Sequence, residues 1–258
     1  MVGLNAGRVV DRIPRPPGAA GNLSIVMPVF REGAAVEPIL RAMTAAVSAS
    51  HEILVVYDFD EDPTVPVLER LAAELPTIHG LRNDFGRGVL NAMKAGIAAS
   101  SGEYVLISMS DGSDEPHVVD SMVELAFSGA DVVAASRYMP GGRQLGGPPL
   151  KRLLSRVAGL TLHWFAGVRT HDPTNNFKLY SRRFLDTVTI ESTAGFELAL
   201  ELTVKATLAG RRVAEVPTTW RDRTAGQSNF KLRQWLPHYL HWYRIAFAGR
   251  WLRRRVNR

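Results

Sequence analysis

A chain of 258 residues with 46% hydrophobic and 22% charged side chains is long enough to close a sizeable core and too apolar for disorder. It has no cysteine, which excludes a disulfide framework, a thiolate zinc site and a cysteine nucleophile. No apolar run approaches the roughly 18–20 residues that cross a bilayer, and the first residues lack the apolar region of a signal peptide. The net charge of +6 is unevenly spread: Arg211 to Arg258 holds 12 Arg and Lys against two acids, net +10, which leaves the remainder at −4. A basic end on a mildly acidic body calls for a polyanionic partner, whether nucleic acid, a membrane surface or a phosphate-bearing substrate.

In chain order, residues 1–21 place Arg8, Arg12 and Arg15 among Pro and Gly without apolar periodicity and read as a flexible leader. Strands are expected over 23–30 (LSIVMPVF), 52–58 (EILVVYD), 78–82, 103–111 (EYVLISMSD) and 131–138 (DVVAASRY). Between them helices are expected after 30 to about Ser48, over 67–75, over 88–100 and from about Pro116. Strands alternating with helices through short loops imply an α/β fold with a mostly parallel, doubly wound sheet. After Pro148-Pro149 the rhythm changes. A helix apolar on most sides is expected over 153–168, with Gly159 and Gly167 as weak points. Residues 175–185 and 211–220 would add strands to a mixed edge, with a helix over Phe196–Ala209 between them. The organisation expected is a leader (1–21), a catalytic domain (22–230) and a basic, aromatic, amphipathic helical tail (231–258).

In an open α/β sheet ligands lie beyond the carboxyl ends of the strands. Three such ends run into polar turns: Pro28–Glu32, Asp58–Asp62 and Asp111–Glu115. Acids there can hold a ribose, a base edge or a hard cation. Asp58, Asp60 and Asp62 also suit a turn or helix cap, and Asp114 and Glu115 before Pro116 suit a helix N-terminus facing the dipole. Asp111 sits at the strand end, where capping explains it less well. The turn Arg82–Gly88 can bring backbone N–H groups to a phosphate, but Gly86-Arg87-Gly88-x-x-Asn91 lacks the third glycine of a dinucleotide fingerprint.

Together, LSIVMPVFRE (23–32), EILVVYDFDEDPT (52–64), RNDFGRGVLNAMKAGIAASSG (82–102) and YVLISMSDGSDEP (104–116) stand in an order that resembles the family 2 glycosyltransferases, whose nucleotide-sugar-binding domain has the GT-A fold. Ala135–Tyr138, Lys151-x-x-x-Ser155, Asp172–Lys178, Gly195-Phe196-Glu197 with Glu201, Glu215-Val216-Pro217 and Arg221-Asp222-Arg223-x-x-Gly226-x-Ser228 narrow the likeness to the dolichol-phosphate mannose synthase branch, which transfers sugars to polyprenyl phosphates. The match runs from about Leu23 to Lys231.

The resemblance implies that Pro28, Phe30 and Glu32 shape the nucleotide pocket, with Asp58 near the base and Arg87 beside the nucleotide. Asp111 is implied as the metal-binding aspartate and Ser113 as a second ligand of Mg²⁺ or Mn²⁺. Arg137, Lys151 and Ser155 would face the acceptor phosphate, and Arg223 would fold over the donor diphosphate. Departures from the pattern are Met109 for the first acid of Asp-x-Asp, Tyr57-Asp58 for a pair of acids, Phe59-Asp60 for Gly-Ser, Asn175-Asn176 for Ser-Gly and Lys178 for Arg. A thioether is a poor ligand for these hard cations, so metal use is left open, between an active enzyme and a weak or silent relative.

A phosphate monoester is largely ionised at neutral pH. As a nucleophile it needs charge neutralisation more than a base, which Arg137, Lys151, Arg223 and a cation on Asp111 would supply; the resemblance implies inversion by a single displacement. A hydroxyl acceptor would instead need a base; Asp172, Glu197 and Glu201 are the candidates, and Glu201 is counted among the catalytic set. In the tail, Leu236, Tyr239, Leu240, Tyr243, Ala246, Phe247 and Trp251 share helical spacing beside a run of Arg, as in a helix lying on anionic lipid or one packed on the domain. The partners expected are a GDP- or UDP-sugar, a polyprenyl phosphate and an anionic membrane on its cytoplasmic side, bound peripherally. No nucleic acid is expected, since the basic end has no recognition module, and self-association stays open. Sugar or protein hydroxyl transfer on the same fold, or a silent nucleotide-sugar-binding subunit, are the alternatives.

Overall fold

A computed structural model describes residues 22–222 and 232–256; Arg223, Gly226 and Ser228 fall outside the described residues. The first two thirds run β1 (Leu23–Pro28), α1 (Val36–Ala46), β2 (His51–Tyr57), α2 (Val65–Glu74), β3 (Ile78–Arg82), α3 (Val89–Ala99), β4 (Tyr104–Ile107), α4 (Val119–Phe127) and β5 (Val132–Ser136). Then come β6 (Arg143–Leu145), α5 (Pro149–Thr161) with a π-helical turn (Leu162–Ala166), β7 (Lys178–Ser181), α6 (Arg182–Leu185), α7 (Leu198–Leu208), β8 (Val213–Pro217), β9 (Thr219–Arg221) and α8 (Leu232–Val256).

The main sheet has the order β3-β2-β1-β4-β7-β5-β8. Its strands are apolar on both faces because both are covered. Ile25, Met27, Ile53, Val55 and Leu106 point to a core with α1, α2 and α4. Val26, Val56, Val105 and Ile107 point to a second core with α3, α6 and α7. Each fully buried Leu, Ile or Val contributes roughly 1.5–3 kcal/mol of transfer free energy.

Residues 175–185 do not extend an edge. β7 lies inside the sheet, antiparallel to both β4 and β5, and α6 follows it at once. It fits there because Lys178–Ser181 is wholly buried, which an edge would not provide. The strand expected over 103–111 ends at Ile107, because Ser108 and Met109 turn to bond a side chain, described below. β6 and β9 form a separate parallel ribbon. The helix expected over 153–168 begins at Pro149, with proline in its first turn, and Gly167 closes it at φ 76°.

The tail helix packs on the domain. Trp242 and Ala246 are buried against Leu162, Ala166, Leu200 and Val204, with Tyr239, Tyr243 and Phe247 around them. The inward face is therefore turned from the expected one: Leu236 and Leu240 are exposed, and Pro237 lies inside the helix rather than at its start. The Trp251 side chain lies outside the described residues.

Candidate active site

At the carboxyl end of β5, Arg137 is almost wholly buried beside Asp172. Asp172 Oδ2 accepts from Arg137 Nε (2.6 Å) and from its backbone N–H (3.1 Å), while Oδ1 accepts from Nη2 (2.9 Å). The same Nη2 lies 3.3 Å from Ser155 Oγ and 3.4 Å from Thr174 Oγ1, and those hydroxyls are 2.8 Å apart. The guanidinium also stands 4.9 Å from the Tyr138 ring centre and 5.9 Å from that of Trp220. A bidentate pair of this kind fixes the plane of the guanidinium. Burial raises the Asp172 carboxyl, but the Arg137 charge and hydrogen bonds outweigh it, and the group is held below its usual range.

Two further contacts place this pair. Glu215 on β8 accepts from Thr170 Oγ1 (2.9 Å), the His171 N–H (2.9 Å) and His171 Nδ1 (2.6 Å), which holds the loop leading into Asp172. Gly159 lets α5 lie on that loop, since a Cβ there would stand 2.2 Å from the His171 carbonyl oxygen. Only because α5 comes this close does Ser155 reach Arg137. Lys151 lies one turn earlier on α5, so the three residues expected at an acceptor phosphate gather in one region.

Lys178, fully buried on β7, donates to the carbonyls of Asp172 (2.9 Å) and Asn175. Burial pushes its ammonium down to about 7, against the pull of Asp172. The unfolded value is about 10.4, so between about pH 7 and 10 the unfolded chain holds a proton that the folded one has lost, and stability rises with pH across that window. In thermal melts from pH 7 to 10, the stability of the wild type relative to Lys178→Met is expected to grow with pH. A constant difference would contradict the burial of a charge-disfavoured ammonium.

At the other strand ends, Phe30 is half-exposed and meets Phe59 edge to face at 6.0 Å. Arg31 stands 5.5 Å from both ring centres and Arg87 5.2 Å from that of Phe59, within cation–π range. Arg31 adopts φ 57°, among the described residues the one non-glycine in the left-handed region. Its N–H donates to the buried Asp62 (2.8 Å), which holds the turn. Asp62 also accepts from the Thr64 N–H (2.9 Å), so the turn role expected for these acids falls to Asp62. Asp58 is occupied differently: it accepts from Asn83 Nδ2 (2.7 Å) and the Gly88 N–H (2.9 Å). It anchors the loop that carries Arg87. Pro28 closes β1, and Glu32 opens the short 3₁₀ turn that follows.

Asp111 is partly exposed, and its Oδ1 accepts from the Ser113 N–H (3.1 Å). Ser113 is buried. Asp114 does not cap a helix: it turns back to accept from the Met109 N–H (2.9 Å) and Ser108 Oγ (3.1 Å). Burial, then the charge of Asp111, pushes it up to about 7. Glu115 accepts instead from the Thr219 N–H on β9 (2.9 Å). Among the described residues no group of three or more His, Asp or Glu gathers to hold a metal. The donor set fits the sparse mode in which a hard cation takes one carboxylate, with substrate phosphate and water completing the shell.

The three carboxylates considered as bases are all engaged. Asp172 is bound to Arg137. Glu197 accepts from the N–H groups of Thr193 (3.2 Å), Ala194 (2.8 Å) and Gly195 (2.6 Å). Glu201, expected in the catalytic set, is fully buried and accepts from the Glu191 N–H (2.6 Å), the Ser192 N–H (2.8 Å) and Lys205 Nζ (2.7 Å). The structure gives it a loop-holding role, because each oxygen already has a donor and no solvent reaches it. The sequence assigned no role to Arg31, Phe59 or Thr174: Arg31 and Thr174 lie within the motifs at 23–32 and 172–178, and Phe59 was visible as a departure.

Residues 24–189 match the family described as Glycosyl transferase family 2. Over 209 residues, 79% of this chain and 85% of the relative, the sequence is 30% identical to the undecaprenyl-phosphate mannosyltransferase of Micrococcus luteus. Over 227 residues, 82% of this chain and 85% of the relative, it is 29% identical to the polyprenol monophosphomannose synthase of Mycolicibacterium smegmatis. The fold is similar to that of glucosyl-3-phosphoglycerate synthase from Mycobacterium tuberculosis, solved with Mn²⁺, uridine-diphosphate-glucose and phosphoglyceric acid. The TM-score is 0.64 over 90% of this chain and 80% of that one, at 18% identity.

Proposed function

This chain belongs to glycosyl transferase family 2, and from that premise we propose that it moves a sugar from a nucleotide-sugar donor, GDP- or UDP-linked, to a polyprenyl phosphate. The observation that carries this reading is the engagement of Asp172, Glu197 and Glu201. A hydroxyl acceptor must lose its proton in the transition state, and none of the three is disposed to take it. A phosphate monoester arrives largely ionised and asks for fixed positive charge and hydroxyl donors. Arg137, Ser155 and Thr174 offer that arrangement, with Lys151 on the same helix. The names of the two bacterial relatives point the same way.

On this reading Phe30, Phe59, Arg31 and Arg87 take the base and diphosphate of the donor, with Asp58 holding the Arg87 loop and Pro28 and Glu32 shaping the pocket wall. A divalent cation, when bound, would be held by Asp111 with Ser113 as a neutral neighbour and would neutralise the leaving diphosphate. Arg137 orients the acceptor oxygen, and the displacement inverts the anomeric centre. The enzyme acts as a peripheral protein at the cytoplasmic face of the membrane; no described helix is long and apolar enough to cross one.

The test is nucleoside diphosphate release from a panel of GDP- and UDP-sugars, with and without Mn²⁺ and polyprenyl phosphate. Release that depends on the lipid phosphate is the expected result. Release that requires a sugar or peptide hydroxyl instead, or donor binding with no turnover under any condition, overturns the reading.

A further inference from the structure

The β6–β9 ribbon governs both aromatic contacts of the Arg137 guanidinium. Trp220, the middle residue of β9, stands within cation–π range at 5.9 Å. Tyr138, at 4.9 Å, donates from its hydroxyl to Gln144 Oε1 (2.9 Å), and Gln144 is the β6 residue paired with Trp220. The Trp220 ring also lies against Gly147, where a Cβ would stand 3.5 Å from it. Gly147 comes two residues before α5, the helix that carries Lys151 and Ser155.

A ribbon of two three-residue strands is marginal in water by itself. The hydrogen bonds of β9 show what steadies it. Alternate residues of a strand direct their backbone groups to opposite edges. On one edge the Thr218 carbonyl accepts from the Arg143 N–H (2.9 Å), and the Asp222 N–H donates to the Leu145 carbonyl (2.9 Å). On the other edge the Thr219 N–H donates to Glu115 Oε2 (2.9 Å) and the Arg221 N–H to the Ser113 carbonyl (3.2 Å). Residues 113–115 therefore stand where a third strand would, with one side-chain carboxylate in place of a backbone carbonyl.

We propose that Glu115 is a positioning residue for the acceptor seat: its carboxylate holds β9 in place and so keeps the Trp220 ring, and through Gln144 the Tyr138 ring, against Arg137. The inference rests on the proposed function in taking that seat as the place of the acceptor. Asp172 fixes the plane of the guanidinium, and the two rings confine it from the ribbon side. Other tasks suit Glu115 less well. It makes no side-chain cap on the 3₁₀ turn that follows it. To join a cation at Asp111, the bonded oxygen would have to release the Thr219 N–H. What β9 asks of position 115 is an acceptor oxygen rather than a charge. Glutamine supplies that oxygen and alanine does not. The Ser113–Arg221 bond remains as a second tie, so neither variant removes every anchor of the strand.

The experiment compares Glu115→Ala and Glu115→Gln with the wild type, all in the full chain and all checked by circular dichroism melts. Amide hydrogen exchange, read without substrate, is expected to quicken about tenfold or more over 219–221 in Glu115→Ala and to stay near wild type in Glu115→Gln. In nucleoside diphosphate release with a short-chain, water-soluble polyprenyl phosphate, Glu115→Ala should raise the acceptor KM about tenfold and leave the donor KM within about twofold. Glu115→Gln should restore the acceptor KM. Equal impairment in the two variants would make the charge the operative feature and overturn the proposal. So would unchanged exchange in Glu115→Ala, or faster exchange and a lower melting point with a wild-type acceptor KM. A wild type that turns over only a hydroxyl acceptor fails the phosphate assignment; a KM loss for that acceptor in Glu115→Ala alone would still uphold the role of Glu115.

Discussion

Replacing Asp172 by Asn is expected to lower the melting temperature by about 10 °C and to cut turnover by about 10²-fold. Both effects have one origin. Arg137 and Asp172 are 10% and 0% exposed at their side chains, and the carboxylate satisfies the guanidinium through two oxygens. Removing one partner of a buried pair leaves the other charged and uncompensated, at a cost of about 3–5 kcal/mol; in a chain of this size each kcal/mol moves the midpoint by roughly 2–4 °C. Asn keeps the shape and one acceptor, so the fold should survive. The guanidinium loses its fixed plane, and displacement of an orienting group by about 1 Å can cost about 10² in rate. The pH dependence follows from the depressed carboxyl. Its stabilisation is present above the unfolded value of about 3.9 and is lost as pH falls through the lower folded value, so the wild-type advantage over Asp172→Asn should shrink in acid. Melts with single-turnover rates on the same preparations check both parts. A variant with wild-type stability and orientation-independent loss of rate would contradict the pairing.

Glu201→Gln is expected to destabilise by about 2–4 kcal/mol while leaving kcat per folded molecule within about twofold of wild type. The carboxylate faces three donors: two backbone N–H groups of the 191–192 loop and the Lys205 ammonium. A glutamine offers one oxygen and one NH₂, so a donor is turned against a donor in a site closed to water. Lys205 also stands 5.0 Å from the Trp242 ring centre, so the loss should loosen the seat of α8. A general base behaves oppositely, with rate falling about 10²–10⁴-fold and the melting point unchanged. Thermal melts and kcat, measured together, decide between the two.

The alternating buried strands and amphipathic helices of 23–136 could be read directly, because a strand covered on both faces and a helix covered on one leave distinct periodicities. β7 could not be placed in the same way. A four-residue strand of mixed polarity, Lys178–Ser181, looks the same at an edge or in the interior, and only its pairing with both β4 and β5 shows which it is. α7 hid its role for a related reason: it is buried nearly all round, so Glu201 looked like a polar residue in want of a task. Asp114 and Glu115 stand where helix-capping acids stand, and neither caps; the Met109 N–H five residues back and the remote Thr219 N–H on β9 outcompete the nearby helix terminus.

By itself the sequence determined the class of fold, the family and the residue types at the strand ends, because these are written in local periodicity and in short motifs in a set order. Its basic end was equally plain as a composition, and so was its appeal to a polyanion. Tertiary structure alone decided which charges act and which are already answered. Arg137 meets Asp172 across 35 positions of chain, α5 reaches the site through the absence of one Cβ at Gly159, and the aromatic face of α8 turns inward while the apolar face of α5 turns out. Each depends on distances between segments remote in the chain. Electrostatic pairing and burial depend on those distances, and no local pattern records them.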